Sequence, residues 1–200
     1  MKLSKIWALL KQRKKVVVMQ GSDCQWIGDG YAAYPIYGNF PEITESTAQM
    51  LLDVGDKAWN NFSYEVKSIQ PFDESDVVKG EIMLEPMQMS LIFMCEELIP
   101  LTAGDYIFYI PERHVKPFAD CSCTFYYRPK DKLIAVKEGM LLRGVINPVY
   151  CSTDVFTQTL KKMASLTECN SYFVRSGRSE EEYRSLLFGE DTEESEDDEQ

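Results

Sequence analysis

The residues with the most chemical potential in this chain are its thiols and its single histidine. Cys121 and Cys123 flank Ser122, with His114 before them and Cys151 after. Thiolate and imidazole suit zinc, but structural zinc sites separate paired cysteines by two to four residues and add a second pair. Here the gap is one residue, and the sequence holds no second pair. Residues two apart on a strand point to one face, so both thiols read as core-facing. The same reading extends to all six cysteines, Cys24, Cys95, Cys121, Cys123, Cys151 and Cys169: reduced thiols packed as small hydrophobes, with no metal. A nucleophilic Cys121 with His114 as its base needs a third, orienting group and a cleft. The sequence carries no Gly-x-Ser-x-Gly, no His-Glu-x-x-His and no P-loop. Gly28-Asp29-Gly30 is too short for a dinucleotide fingerprint and precedes a strand rather than a helix. The expectation is a binding protein without cofactor, not an enzyme.

Charge offers a second kind of chemistry. Net charge is −11 over 200 residues, but Ser179 to Gln200 holds eleven acids and one base, Arg184. The remainder has 21 acids and 20 bases, close to neutral. Lys2, Lys5, Lys11, Arg13, Lys14 and Lys15 crowd the first fifteen residues, with no acid among them. Basic side chains on the solvent face of a helix suit phosphates, since each neutralised phosphate releases counterions. They equally solubilise an ordinary surface helix. Those six residues are the candidate DNA contacts. At the other end, Tyr183, Leu186, Leu187 and Phe188 form an apolar cluster within an acidic stretch, the candidate partner-docking segment. Gly189 to Gln200 has eight acids and no apolar residue, a composition that predicts disorder.

The elements that must position these groups follow from periodicity. Leu3, Ile6, Trp7 and Leu10 recur at helical spacing, so Met1 to Arg13 reads as an amphipathic helix. Val16-Val17-Val18 favours a strand at Lys15 to Gln20. Strands at Cys24 to Ile27 and Tyr31 to Ile36 flank the Gly28-Asp29-Gly30 turn. A helix from about Pro41 to Val54 has Thr44 or Ser46 as its cap. Strands are expected at Phe62 to Ile69, Val77 to Leu84, Met87 to Cys95 and Tyr106 to Ile110. A short helix opens at Pro111-Glu112 and runs to Ala119. Three strands follow, Thr124 to Arg128, Leu133 to Lys137 and Met140 to Ile146, and a last helix begins at Val155.

A helix followed by three strands therefore occurs twice, at Met1 to Ile36 and at Pro111 to Ile146. In each copy an acid-glycine pair, Asp29-Gly30 or Glu138-Gly139, joins the second and third strands. The expected class is α+β, with a mostly antiparallel sheet and two pseudo-two-fold units. The domain spans 1–175, with an insertion at about 37–76. A linker and the disordered acidic tail occupy 176–200. No apolar run approaches the ~20 residues needed to cross a bilayer, and Lys11 to Lys15 interrupts any leader-like core. No membrane partner and a cytoplasmic location are expected.

The repeated unit, with Trp26-Ile27-Gly28-Asp29-Gly30-Tyr31-Ala32-Ala33 at its first hairpin, resembles the bacterial DNA polymerase sliding clamp. That resemblance implies helices facing DNA with Lys2, Lys5 and Lys11 turned inward, and a structural Asp29-Gly30. The chain is shorter than a clamp subunit, and a ring would need several copies. A phage or mobile-element accessory protein in DNA replication fits this description. Leu186-Leu187-Phe188 also looks like the peptides that dock on sliding clamps, without their upstream glutamine. Two functions are thus expected in competition. One is a DNA-associated accessory protein using the basic helix. The other is a protein-interaction or assembly module docking through Tyr183 to Phe188, with a replication or phage protein as partner.

Overall fold

The computed structural model describes residues 1–149 apart from 39, 68–70, 88, 94 and 105. Helix α1, Leu3–Arg13, buries Ile6, Leu9 and Leu10. The buried face is rotated slightly from the expected one, with Leu9 inside and Leu3 exposed. Lys14 ends α1 in the left-handed conformation (φ 52°). Strands β1 (Lys15–Gln20), β2 (Gln25–Gly28) and β3 (Ala32–Ile36) then form an antiparallel meander. Helix α2, Glu45–Leu51, starts where Thr44 Oγ1 accepts a hydrogen bond from the Thr47 amide at 3.3 Å. Its end at Leu51 is earlier than expected, and a separate one-turn helix α3, Asp56–Trp59, follows.

Strand β4, Ser63–Lys67, lies parallel to β1 at one edge. Strands β5 (Ile82–Pro86), β6 (Leu91–Phe93), β7 (Glu96–Ala103) and β8 (Tyr106–Pro111) build the other end. Helix α4, Glu112–Val115, continues into a 3₁₀ turn, Lys116–Phe118. Strands β9 (Cys123–Arg128), β10 (Leu133–Glu138) and β11 (Leu141–Ile146) form a second meander. The sheet order among the described residues is β4-β1-β2-β3-β11-β10-β9-β5-β7-β6, with β8 on β7. Every pairing except β1 with β4 is antiparallel. The fold is α+β with a mostly antiparallel sheet. The two meanders meet where Ala33 pairs with Val145 and Ala32 with Ile146.

Both faces of the sheet's central strands are covered. Val16 and Val18 of β1 face one core with Ile6, Leu10, Tyr34, Phe118, Ile134 and Ile146. Val17 and Met19 face the other, with Trp26, Ala33, Ala135 and Val145. That is why β1 reads as an unbroken apolar run rather than an alternation. Phe72 caps the second core, its ring edge-on to Trp26 with centroids 4.9 Å apart. Buried charges tie this cap down. Arg128 donates to the carbonyls of Asp73 (2.5 Å) and Ser75 (2.7 Å) and pairs with Glu81 at 2.7 Å. Lys137 pairs with the other oxygen of Glu81. Gly28 is required by close approach: a Cβ there would lie 1.8 Å from the Ala32 carbonyl oxygen.

The thiols meet the core-facing expectation in part, since Cys123 packs against the first core and Cys24 against the second. Among the described residues Cys24, Cys121 and Cys123 are half-buried and Cys95 is exposed; all four are free. Cys95 occupies the left-handed region (φ 64°) just before β7, a turn position rather than a packed one. No described helix is long and apolar enough to cross a membrane. The expected last helix, Cys151, Cys169 and the acidic tail lie outside the described residues.

Candidate nucleic-acid interface

The six basic residues of the first segment fall into three groups set by the geometry of α1. At its start Lys2 pairs with Asp120, whose carboxyl is held below its ordinary range by the Lys2 hydrogen bond. Lys5, one turn on, is exposed. On a second flank, Lys11 Nζ donates to the Asp53 carbonyl at 3.0 Å. At the C-terminal end Arg13 and Lys15 lie beside the Asp29-Gly30 turn, and exposed Lys14 stands between them in sequence. Lysines and arginines there also oppose the negative end of the helix dipole. Lys15 runs over Gly30, close enough that a Cβ on that glycine would sit 3.3 Å from Lys15 Nζ. Lys5 and Lys14 are thus the exposed bases of the segment that carry no described side-chain hydrogen bond or ion pair. Lys2, Lys11 and Arg13 are partly committed to the protein itself, and Lys15 is half-buried over Gly30.

Beneath the third group is a buried constellation that periodicity does not reveal. Asp29 has no exposed surface. Its Oδ1 accepts from the amides of Tyr31 (2.9 Å) and Ala32 (3.0 Å), closing the turn. Its Oδ2 meets His114 Nε2 at 3.0 Å and Arg13 Nε at 3.4 Å. Burial pushes the Asp29 carboxyl up. The His114 hydrogen bond and charge, with the two amides, outweigh this and hold it well below the ordinary carboxylate range. His114 is itself fully buried. Tyr34 Oη donates to its carbonyl oxygen at 3.0 Å, and its Nδ1 meets no partner among the described residues. His114 is therefore turned to Asp29 rather than to Cys121, which receives a hydrogen bond from the amino group of Met1 at 2.6 Å. Among the described residues no three His, Cys, Asp or Glu side chains converge as a metal cradle.

The only sequence signal for the constellation was the Asp29-Gly30 pair itself, read as a turn. Nothing in local spacing ties it to His114. Tyr183, Leu186, Leu187 and Phe188 lie outside the described residues. Comparison with protein-family models, curated proteins and solved structures finds no match to this chain.

Proposed function

We propose that this chain is a non-enzymatic, DNA-associated accessory protein of sliding-clamp-like architecture, with α1 facing the phosphates. The sheet order carries the reading. α1 precedes β1-β2-β3, the α4 and 3₁₀ segment precedes β9-β10-β11, and the two meanders join at β3 and β11. Ile6 and Leu10 of α1 share one core with Phe118 of the second helical segment, so both segments cover the same face of the sheet. The Lys2 amide donates to the Pro117 carbonyl at 2.8 Å, bringing them side by side. On this reading the two units are related by an approximate two-fold axis between β3 and β11. The second segment is only two short turns, so α1 supplies most of the basic surface.

Fluorescence anisotropy with a labelled duplex tests this. Binding is expected at low salt, with log affinity falling linearly with log salt. Lys5→Glu, Lys11→Glu and Lys14→Glu together abolish it, while the circular dichroism spectrum stays unchanged. Deleting Gly189 to Gln200 strengthens it, because a tethered polyanion competes at high local concentration. A chain without that tail that still binds no duplex at low salt overturns the reading.

A further inference from the structure

On the face of the sheet away from α1 lies a cavity of about 410 Å³. Its floor is apolar, with Val17, Ala33 and Val145. Its rim is not: Tyr31, Lys67 and Lys132 stand around the mouth. Tyr31 is 51% exposed, although its backbone is fixed. Its amide is held by Asp29, and its carbonyl accepts from the Asn147 amide at 2.7 Å. Arg13 covers the ring at 5.6 Å from its centroid. Lys15 Nζ lies over Gly30, another residue of the lining. The acid at the rim, Asp131, is engaged by the Asp73 amide at 3.2 Å. Lys67 meets Glu65 only at 3.7 Å, on side chains that are over 40% exposed.

An aromatic ring on a rigid turn, an apolar floor and lysines in excess at the mouth match the needs of one ligand chemistry. Bases of a single strand stack on exposed aromatic rings while cations follow the backbone. A duplex hides those base faces. We propose that this cavity is a nucleic-acid site of its own, taking an unstacked base of a single strand against Tyr31 while Lys15, Lys67 and Lys132 meet flanking phosphates. The proposal rests on the DNA-associated reading but uses the opposite face of the sheet. The Arg13 guanidinium on one side of the Tyr31 ring adds a cation–π contact to the stack.

The full chain is tested by anisotropy against three probes of equal length, about twelve units: oligothymidine, an abasic sugar-phosphate oligomer and a duplex. Oligothymidine is expected to bind about 5- to 150-fold more tightly than the abasic oligomer, the worth of one stacked base. Tyr31→Ala removes that difference, and Tyr31→Phe keeps it. Lys132→Glu, at an exposed position, weakens oligothymidine more than duplex. Equal affinity of the unaltered protein for oligothymidine and the abasic oligomer overturns the base site, whatever the variants do, and leaves the duplex reading standing. Failure to bind any of the three at low salt, by the full chain and by the chain without Gly189 to Gln200, overturns both. A short acidic peptide with leucine and phenylalanine anchors serves as a fourth probe. If it binds in a Tyr31-dependent way while oligothymidine shows no base dependence, the cavity belongs to protein and the proposal falls.

Discussion

Asp29 Oδ2 and His114 Nε2 lie 3.0 Å apart, both fully buried, and join positions 85 residues apart in the chain. The pair clamps the β2–β3 turn to the short helix that opens the second meander. Arg13 adds the end of α1 to the same carboxylate. Asp29→Ala strips His114 of its partner and frees two turn amides at once. Breaking a buried pair from one side is expensive, because the remaining group stays desolvated. Urea denaturation of Asp29→Ala is expected to show a loss of about 3 kcal/mol, and a loss below about 1 kcal/mol would mean that the pair is not holding the turn.

The same carboxylate sets an acid dependence. Its folded-state pKa is depressed, so between the folded and unfolded values the unfolded chain binds the extra proton. The stabilisation is therefore complete above the unfolded value, about 3.9. It is lost as pH falls through the lower, folded value. Urea midpoints measured from pH 5 downward should drop more steeply in the unaltered protein than in Asp29→Asn. Parallel curves would refute the assignment.

Glu81 bridges two cations, and its environment differs sharply from that of a surface pair. The Arg128 side chain is fully buried, and those of Glu81 and Lys137 are less than a tenth exposed. Glu81→Ala leaves two buried cations facing each other and is expected to cost about 3–5 kcal/mol. Glu138→Ala breaks only the Arg143 pair, whose side chains are 27% and 38% exposed, and should cost under about 1 kcal/mol. Similar losses in the two variants would show that burial is not what distinguishes these pairs.

The thiols should separate by reactivity. Burial, then Glu74 and Asp23, pushes Cys24 up to about 11. Burial, then Cys121 and Glu138, does the same for Cys123. Thiolate is the reactive form, so both should alkylate slowly at pH 8, while exposed Cys95 reacts before them. Peptide mass spectrometry after brief iodoacetamide treatment gives the order, and early labelling of Cys24 would contradict it.

Local chemistry made much of this fold legible. The Lys14-Lys15 boundary, the Asp29-Gly30 turn, the Thr44 cap and the β9-β10-β11 meander all follow from short-range preferences of the residues that form them. Strand β7 did not. Pro100 and the Glu96-Glu97 pair look like a break, because proline is normally kept from strand interiors. Yet β7 runs through Pro100, in register with Tyr109. The parallel partnership of β4 with β1 was also invisible, since a sequence pattern identifies a strand but not its neighbour. The candidate site was legible only in part. The lysines stand out by composition. Their commitments to Asp120, Asp53 and Asp29, and the cavity beside Tyr31, depend on chain segments that only the tertiary fold brings together.

The joint between the two meanders has a kinetic consequence. Within the second meander, β9 and β10 pair over six positions, whereas β3 and β11 pair over two. The hairpins close short loops quickly, but Ala33 must find Val145 across the whole intervening chain, at a much larger entropic cost. Each meander should nucleate by itself and the seam should zip last, so Val145→Ala is expected to speed unfolding while barely changing the refolding rate. Stopped-flow chevrons of that variant would show the shift in the unfolding arm, and a slowed refolding arm would instead make the seam the nucleus from which the sheet grows.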